Sequence, residues 1–334
     1  MSEMVTESRL SRIESIATDQ PGHPTASVQQ YVRALVELTK PRITKLVVVT
    51  TGVGLALAAM GHAWSPGHLA VLTVTCLLGT ALSASSANAL NQWWERRRDA
   101  LMPRTCARPL PTDRLAPGTA WVFGVMCGVI GVSMLAAFVS LASAAVAAAT
   151  ILIYVLLYTP SKPMTTTSTI IGAVPGALPP VIGWAAVSGD GASFQSLLHP
   201  APWTLFAIMF VWQIPHFLAI AWRHRDGYAA GGFRVLPLAD PTGTRTARAT
   251  LVWLFALVPV SLTPVMAMPD LLGWVYVIAA IALGVFFIRP ALSFANDRDD
   301  ASAKRVFIAS IMYLPLLLGA MVIDALLSTF LFAS

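Results

Sequence analysis

Apolar positions along this chain come in long unbroken blocks, unlike the alternation of strands or the narrow stripes of soluble helices. Nine blocks can be traced, near residues 43–60, 68–90, 118–138, 141–158, 168–188, 202–222, 249–267, 271–288 and 306–331. Each approaches the roughly 20 residues a helix needs to cross a bilayer core. The pattern predicts an all-α fold, a polytopic membrane helical bundle of about nine transmembrane helices. Residues 1–34 stand apart: they are polar, carry Glu3, Glu7, Glu14 and Asp19, and contain no apolar core of a signal peptide. The same acidic residues argue against a mitochondrial transit peptide. The expectation is a disordered cytoplasmic tail over 1–34, with one membrane domain over 35–334.

The polar segments between the blocks alternate in character. One set is short and uncharged or weakly acidic: Gly61–Gly67, the turn at Ser140, Gly189–Ala201 with Asp190, and the turn at Pro269–Asp270. The other set is basic and mostly longer. It carries the run Arg96–Arg98 with Arg104, Arg108 and Arg114, then Lys162, then Arg223, Arg225, Arg234, Arg245 and Arg248, then Arg289, Arg298, Lys304 and Arg305. With the tail, Lys40, Arg42 and Lys45 added, all 22 Lys and Arg fall on one side of the nine-span arrangement. Basic loops stay in the cytoplasm. The expected placement is therefore a bacterial inner membrane, with the N-terminus cytoplasmic and the C-terminus outside.

Composition adds little to this and contradicts none of it. Hydrophobic residues are 56% and charged residues 11%, whereas soluble domains carry about 25% charged residues. The net charge of +6 does not imply a nucleic-acid partner, because the charges sit in short loops between apolar spans. Cys76, Cys106 and Cys127 form no metal-like spacing. Cys76 and Cys127 fall in apolar spans and read as packing residues.

Some spans carry chemistry or breaks. The fifth holds Gly172, Pro175, Gly176, Pro179, Pro180 and Gly183, enough to break or kink a helix. Two readings fit: close packing through small residues, or a cavity wall shaped for a bulky ligand. The second span ends with Asn91, Glu95 and Asp99, spaced i, i+4, i+8. On a helix they share one face over roughly 12 Å. Three oxygen-bearing side chains at a membrane boundary are costly unless paired. Oxygen ligands that leave positions to phosphate and water suit Mg²⁺, and the arginines that follow suit diphosphate. The same residues also fit a solvated helix end in which Glu95 and Asp99 merely pair with neighbouring arginines. The sixth span ends with a second polar group, Trp212, Gln213 and His216 leading to Arg223, His224, Arg225 and Asp226. Both groups lie at ends of even-numbered spans, so they are expected on one membrane side, able to meet over one cavity. Trp93, Trp94 and Trp222 read as interfacial belt residues.

These residues resemble a known family. The run Asn91-xxx-Glu95-xxx-Asp99-xx-Met102-x-Arg104-Thr105-xx-Arg108-Pro109-Leu110 is similar to the first aspartate-rich motif of the protohaem IX farnesyltransferases, or haem O synthases, of the UbiA superfamily of intramembrane prenyltransferases. Further matches are Leu38-Thr39-Lys40-Pro41-Arg42, Tyr158-Thr159 with Lys162, Gly176-Ala-Leu-Pro179-Pro180-x-x-Gly183-Trp184, and Trp212-Gln213-x-Pro215-His216-Phe217. Two departures stand out. Glu95 replaces the aspartate of many relatives, and Trp222 stands where quinone-type members carry the first aspartate of a second pair, leaving Asp226 alone.

The resemblance implies conversion of haem B to haem O by adding a hydroxyethylfarnesyl group from farnesyl diphosphate at the vinyl group on carbon 2 of the porphyrin. It implies Mg²⁺ bound through diphosphate by Asn91, Glu95, Asp99 and Asp226 as the catalytic group. Arg104, Arg108, Lys162 and Arg223 would bind diphosphate, and His216, Lys40 and Arg42 are candidate haem contacts. Implied partners are haem B, farnesyl diphosphate and the lipid bilayer, with the downstream haem A synthase as a candidate. The alternatives are a prenyltransferase acting on a quinone precursor or chlorophyllide, and a haem-handling membrane protein without catalysis.

Overall fold

A computed structural model describes residues 27–60, 62–187 and 194–332. Residues 1–26 of the expected tail and the loop around Asp190 lie outside the described residues. A short helix α1 (Val28–Leu38) precedes α2 (Pro41–Ala59), α3 (Pro66–Asp99), α4 (Pro117–Phe138) and α5 (Leu141–Leu152). Then follow α6 (Ser168–Ala177), α7 (Pro179–Ala185), α8 (Pro200–Arg223), α9 (Arg225–Ala230), α10 (Thr244–Ala267), α11 (Trp274–Asp297) and α12 (Asp300–Phe332). Among the described residues no strand occurs, and nine spans are long and apolar enough to cross a membrane, as the block pattern predicts. Two of them are composite. The fourth runs from α5 through a π-helical turn (Ile153–Tyr158) to Ser161, and the fifth joins α6 to α7.

The spans close into a bundle in which α12 packs against α8 and α11 and also reaches α2. Burial separates centre from rim. The α6–α7 span and α8 are 61% buried over their apolar windows, against 28% for α4, α10 and α11. The rim leaves large apolar side chains such as Val71, Val129, Ile278 and Ile323 exposed. That pattern suits a lipid solvent, where outward leucines and valines cost nothing.

The break in the fifth span falls at Leu178, just before Pro179 and Pro180, which supply no N–H to the helical ladder. The close-packing reading holds, and the span also lines a cavity. Cβ atoms built on Gly54 and Gly183 would lie 2.0 Å from Pro180 O and 1.9 Å from Thr51 O, so α2 and α7 touch backbone to backbone only because these are glycines. On another face, Pro175, Gly176 and Pro179 line a cavity with Ile43, Val47 and Tyr154.

One boundary differs from expectation. Residues 28–34, assigned to a disordered tail, form the start of α1. Ser27 caps the helix with a full capping box through Gln30. Val28, Tyr31, Val32 and Val36 stay exposed on one face while Ala34 and Leu38 pack with Ala89, Leu110 and Leu115. An amphipathic helix of this kind lies along the membrane surface. The polar average of the window hid its apolar stripe.

Candidate active site

The corner between α1 and α2 positions the first functional side chain. Pro41 disfavours right-handed helical backbone in the residue before it, and Lys40 turns the corner at φ 47°, a left-handed conformation that costs a non-glycine residue energy. Gln92 Nε2 donates to Leu38 O at 2.8 Å and Asn88 Nδ2 to Thr39 O at 3.1 Å, tying the corner to α3. Lys40 Nζ then donates to Asn91 Oδ1 at 2.9 Å.

The stripe on α3 is buried, so the solvated helix end is excluded: Asn91, Glu95 and Asp99 are 1%, 5% and 2% exposed. Each is matched to one cation. Asn91 takes Lys40, Glu95 Oε1 has Lys162 Nζ at 2.7 Å, and Asp99 Oδ2 has Arg108 Nη1 at 2.7 Å. The pairing foreseen for a helix end is therefore present, but in a buried setting and with cations from three different segments. The π-helical turn at the end of α5 helps build it. Asn91 Nδ2 donates to Thr159 Oγ1 at 3.1 Å, and that hydroxyl donates to Tyr154 O. Lys162 follows, its ammonium 4.5 Å from the centre of the Tyr158 ring.

Charge reshapes the two lysines differently. Burial, with Arg108 and Lys162 as neighbouring cations, pushes the Lys40 ammonium down to about 7 despite Glu95 and Asp99. Burial works against Lys162 as well, but the Glu95 carboxylate beside it outweighs that and holds the ammonium above its ordinary range.

The loop after the second polar group reaches the first, on the shared side that the even-numbered spans predict, while the named side chains of that group do not. Arg98 Nη1 donates to Gly231 O and Gly232 O, Arg104 Nη2 reaches the Tyr228 hydroxyl at 3.3 Å, and Arg234 N donates to Lys162 O. The Phe233 ring lies under both Arg98 and Lys162. These contacts fold α9 and the loop after it over the α3 end. Asp226, on the first turn of α9, is exposed and forms no ion pair among the described residues.

Two side chains lie away from where their expected roles would put them. Lys40, a candidate haem contact, sits in the oxygen stripe. Arg223, a candidate for diphosphate, lies over the Phe307 ring on the α8–α12 side, 5.7 Å from its centre. Phe307 in turn stacks on His216. Arg42 is exposed at the start of α2. Trp222 is no belt residue: it is buried, edge-on to Phe294, with Gly243 against its ring. Arg98, Tyr228 and Phe233 had no sequence signal beyond their nearness to the motifs, and Thr159 was visible only as half of a matched pair.

The donor set fits a divalent metal held jointly with phosphate oxygens. Glu95 Oε1 is buried without an aligned hydrogen-bond donor, Lys162 serving it only as a nearby charge. Among the described residues no three His, Cys, Asp or Glu converge to hold a metal alone. Such a set leaves coordination positions for a diphosphate, the usual arrangement for Mg²⁺. Beside Asn88, one turn from Asn91, opens the mainly apolar cavity walled by α2, α3 and α5–α7.

Comparison with known proteins gives the family and the fold. Residues 47–314 match the model of the UbiA prenyltransferase family. A protoheme IX farnesyltransferase of Solibacter usitatus is 42% identical over 297 residues, 88% of this chain and 99% of the relative. The structure of digeranylgeranylglyceryl phosphate synthase superposes with a TM-score of 0.71 at 14% identity, covering 88% of this chain and 98% of the other. A UbiA homologue from Archaeoglobus fulgidus, solved bound to GPP and Mg²⁺, gives 0.54 at 14% identity over 86% and 99%. By the family match, by identity to curated relatives and by fold, the chain belongs to the UbiA prenyltransferase family.

Proposed function

We propose that this protein converts haem B to haem O, transferring the farnesyl group of farnesyl diphosphate to the vinyl group on carbon 2 of the porphyrin. The single observation that carries the reading is the buried stripe of Asn91, Glu95 and Asp99. Glu95 and Asp99 are each paired with a cation, Asn91 accepts from Lys40, and an apolar cavity opens beside the stripe. The 42% identical relative bears the same activity in its name.

The residues divide the work. Asn91, Glu95 and Asp99 would hold Mg²⁺ together with the diphosphate, and Asp226 would join them from the loop above. The metal, when bound, neutralises the leaving diphosphate and lets the allylic C–O bond ionise. Lys40, Arg108 and Lys162, which already face the stripe, would hold phosphate oxygens there, with Arg104 at the rim. Such pre-positioned charges are commonly the largest catalytic contribution. The cavity past Asn88 receives the start of the prenyl chain and keeps water from the cation until the vinyl group has been alkylated. Water then adds to the new cation on the former vinyl carbon and gives up a proton to the released diphosphate, leaving the hydroxyl. On α8, His216 and Arg223 stand seven residues apart, about two turns along one face. This suits haem, with a propionate at Arg223 near the span end and the ring deeper, beside His216. Arg42 offers a second cation for a propionate.

The test is direct. Cells that make only haem B, given this protein, should yield haem O by mass in their extracted haem, and the Asp99→Asn variant should not. Recovery of haem B alone beside a newly prenylated quinone would move the protein to another branch of the family. The clustering of basic residues at one set of helix ends supports an inner-membrane protein with a cytoplasmic N-terminus and an external C-terminus. Reporter fusions at Ser65 and at the C-terminus should then read outside, and at Thr112 inside. The reverse pattern would invert this placement.

A further inference from the structure

His216 is held by contacts that the reaction scheme above does not use. Its ring is sandwiched between Trp212, at 5.1 Å and 20°, and Phe307, at 5.3 Å and 26°. Its Nδ1 lies 2.7 Å from the Oγ of Ser310, a fully buried serine on α12. Whether Nδ1 or Nε2 carries the proton decides what the ring can do, because only the unprotonated nitrogen can bind a metal or accept a hydrogen bond.

The serine bears on that question. Its hydroxyl has one proton and two acceptors in reach, and the Phe307 carbonyl at 2.5 Å is the nearer, the usual back-bond of a helical serine. Toward His216 the oxygen is therefore left to accept. The proton on the imidazole sits on Nδ1, and Nε2 keeps its lone pair. Trp212 Nε1 donates to Ser310 O at 2.9 Å, so the same turn of α12 is clamped to α8 from two sides. Nε2 has no hydrogen-bond partner among the described residues, and the ring is partly exposed. A ring fixed in orientation and tautomer by a buried acceptor, with its other nitrogen open, is the arrangement by which metal-binding histidines are prepared.

We propose that Ser310 is a positioning residue: it fixes His216 as the Nδ1–H tautomer and so presents Nε2 as an axial ligand to the iron of the haem substrate. The proposal rests on the haem reading above and deepens it. The iron changes neither oxidation state nor bond order during prenyl transfer. Ligation serves only to fix the plane of the porphyrin, and with it the distance from the vinyl group to the allylic carbon. Small misplacements of reacting atoms are costly.

The test uses purified full-length protein titrated with haem B without farnesyl diphosphate, followed by absorption and by resonance Raman of the ferrous form. Wild type should show the iron–histidine stretch. His216→Ala should lose it. Ser310→Ala removes one buried oxygen and keeps the backbone bond to Trp212. It should bind haem about tenfold more weakly and shift the iron–histidine stretch to lower frequency. Affinity for farnesyl diphosphate should stay at the wild-type value in both variants, which also shows that they are folded. An unchanged haem spectrum in His216→Ala overturns the ligation. A changed spectrum in His216→Ala with a wild-type spectrum and affinity in Ser310→Ala overturns the role of Ser310. Failure of the haem reading looks different: wild type would then make no haem O at all.

Discussion

At the end of α3 the polar side chains are sunk below the surface, and each has a cation fitted to it before any ligand arrives. At the end of α8 the charged groups are open: Asp226 is exposed, Arg223 rests on an aromatic ring, and Arg225 pairs across the surface with Asp300. Both regions end an apolar span on the same side, and both lie among basic residues. The difference is one of preparation. Buried charges are expensive to leave alone, and the α3 end holds its own counter-ions in place, as the proposed uptake of a metal and a diphosphate would require. The exposed charges at the α8 end are solvated and need no such partners. The comparison teaches that the α3 end is built with its charges already paired, whereas the α9 loop lies over it as a more open cover.

Three substitutions bear on that contrast, beginning with the largest effect. Lys162→Met leaves the Glu95 carboxylate buried without its cation and should cost roughly 3–5 kcal/mol of stability. Thermal unfolding in detergent would measure this, and Lys162→Met combined with Glu95→Gln should recover most of it while staying inactive. A single variant as stable as wild type would show that the α3 end is not prepared in this way. Next comes Asp99→Asn, which keeps shape and removes a charge. Haem O formation should fall by about 10²–10³, the size of losing one strong electrostatic contact in an active site. The parallel change Asp226→Asn is the mildest, about tenfold, since an exposed carboxylate on a covering loop contributes through water. Equal losses at Asp99 and Asp226 would erase the distinction between the two regions.

The same contrast explains what could be read from the sequence. Spans and stripe were legible because bilayer length and the period of 3.6 are imposed by local geometry: nine apolar blocks became nine spans, and i, i+4, i+8 became one buried face. The cations were visible as residues but not as partners. Lys40 reaches Asn91 only through the corner forced by Pro41, and Arg223 turns to Phe307 on a helix far along the chain. Proximity across 51 or 94 residues, as for Lys40 with Asn91 or His216 with Ser310, leaves no mark in local spacing. The tail boundary was missed for the opposite reason: α1 is a good local helix whose polar residues outweigh its apolar face in any average.

The broken fifth span has a consequence for how the protein is made. With a mean hydropathy of 1.3 it is the least apolar of the nine, against 2.4 for the last. Its prolines also leave backbone carbonyls that lipid cannot satisfy. Entry of such a segment into a membrane on its own is unfavourable. It has to be received by helices already there, and the glycine-on-backbone contact at Gly54 and Gly183 offers the docking surface on α2. A bulky residue at Gly54 should therefore act during biosynthesis, before any substrate is present, by leaving the fifth segment without a berth and exposing the chain to quality-control proteolysis.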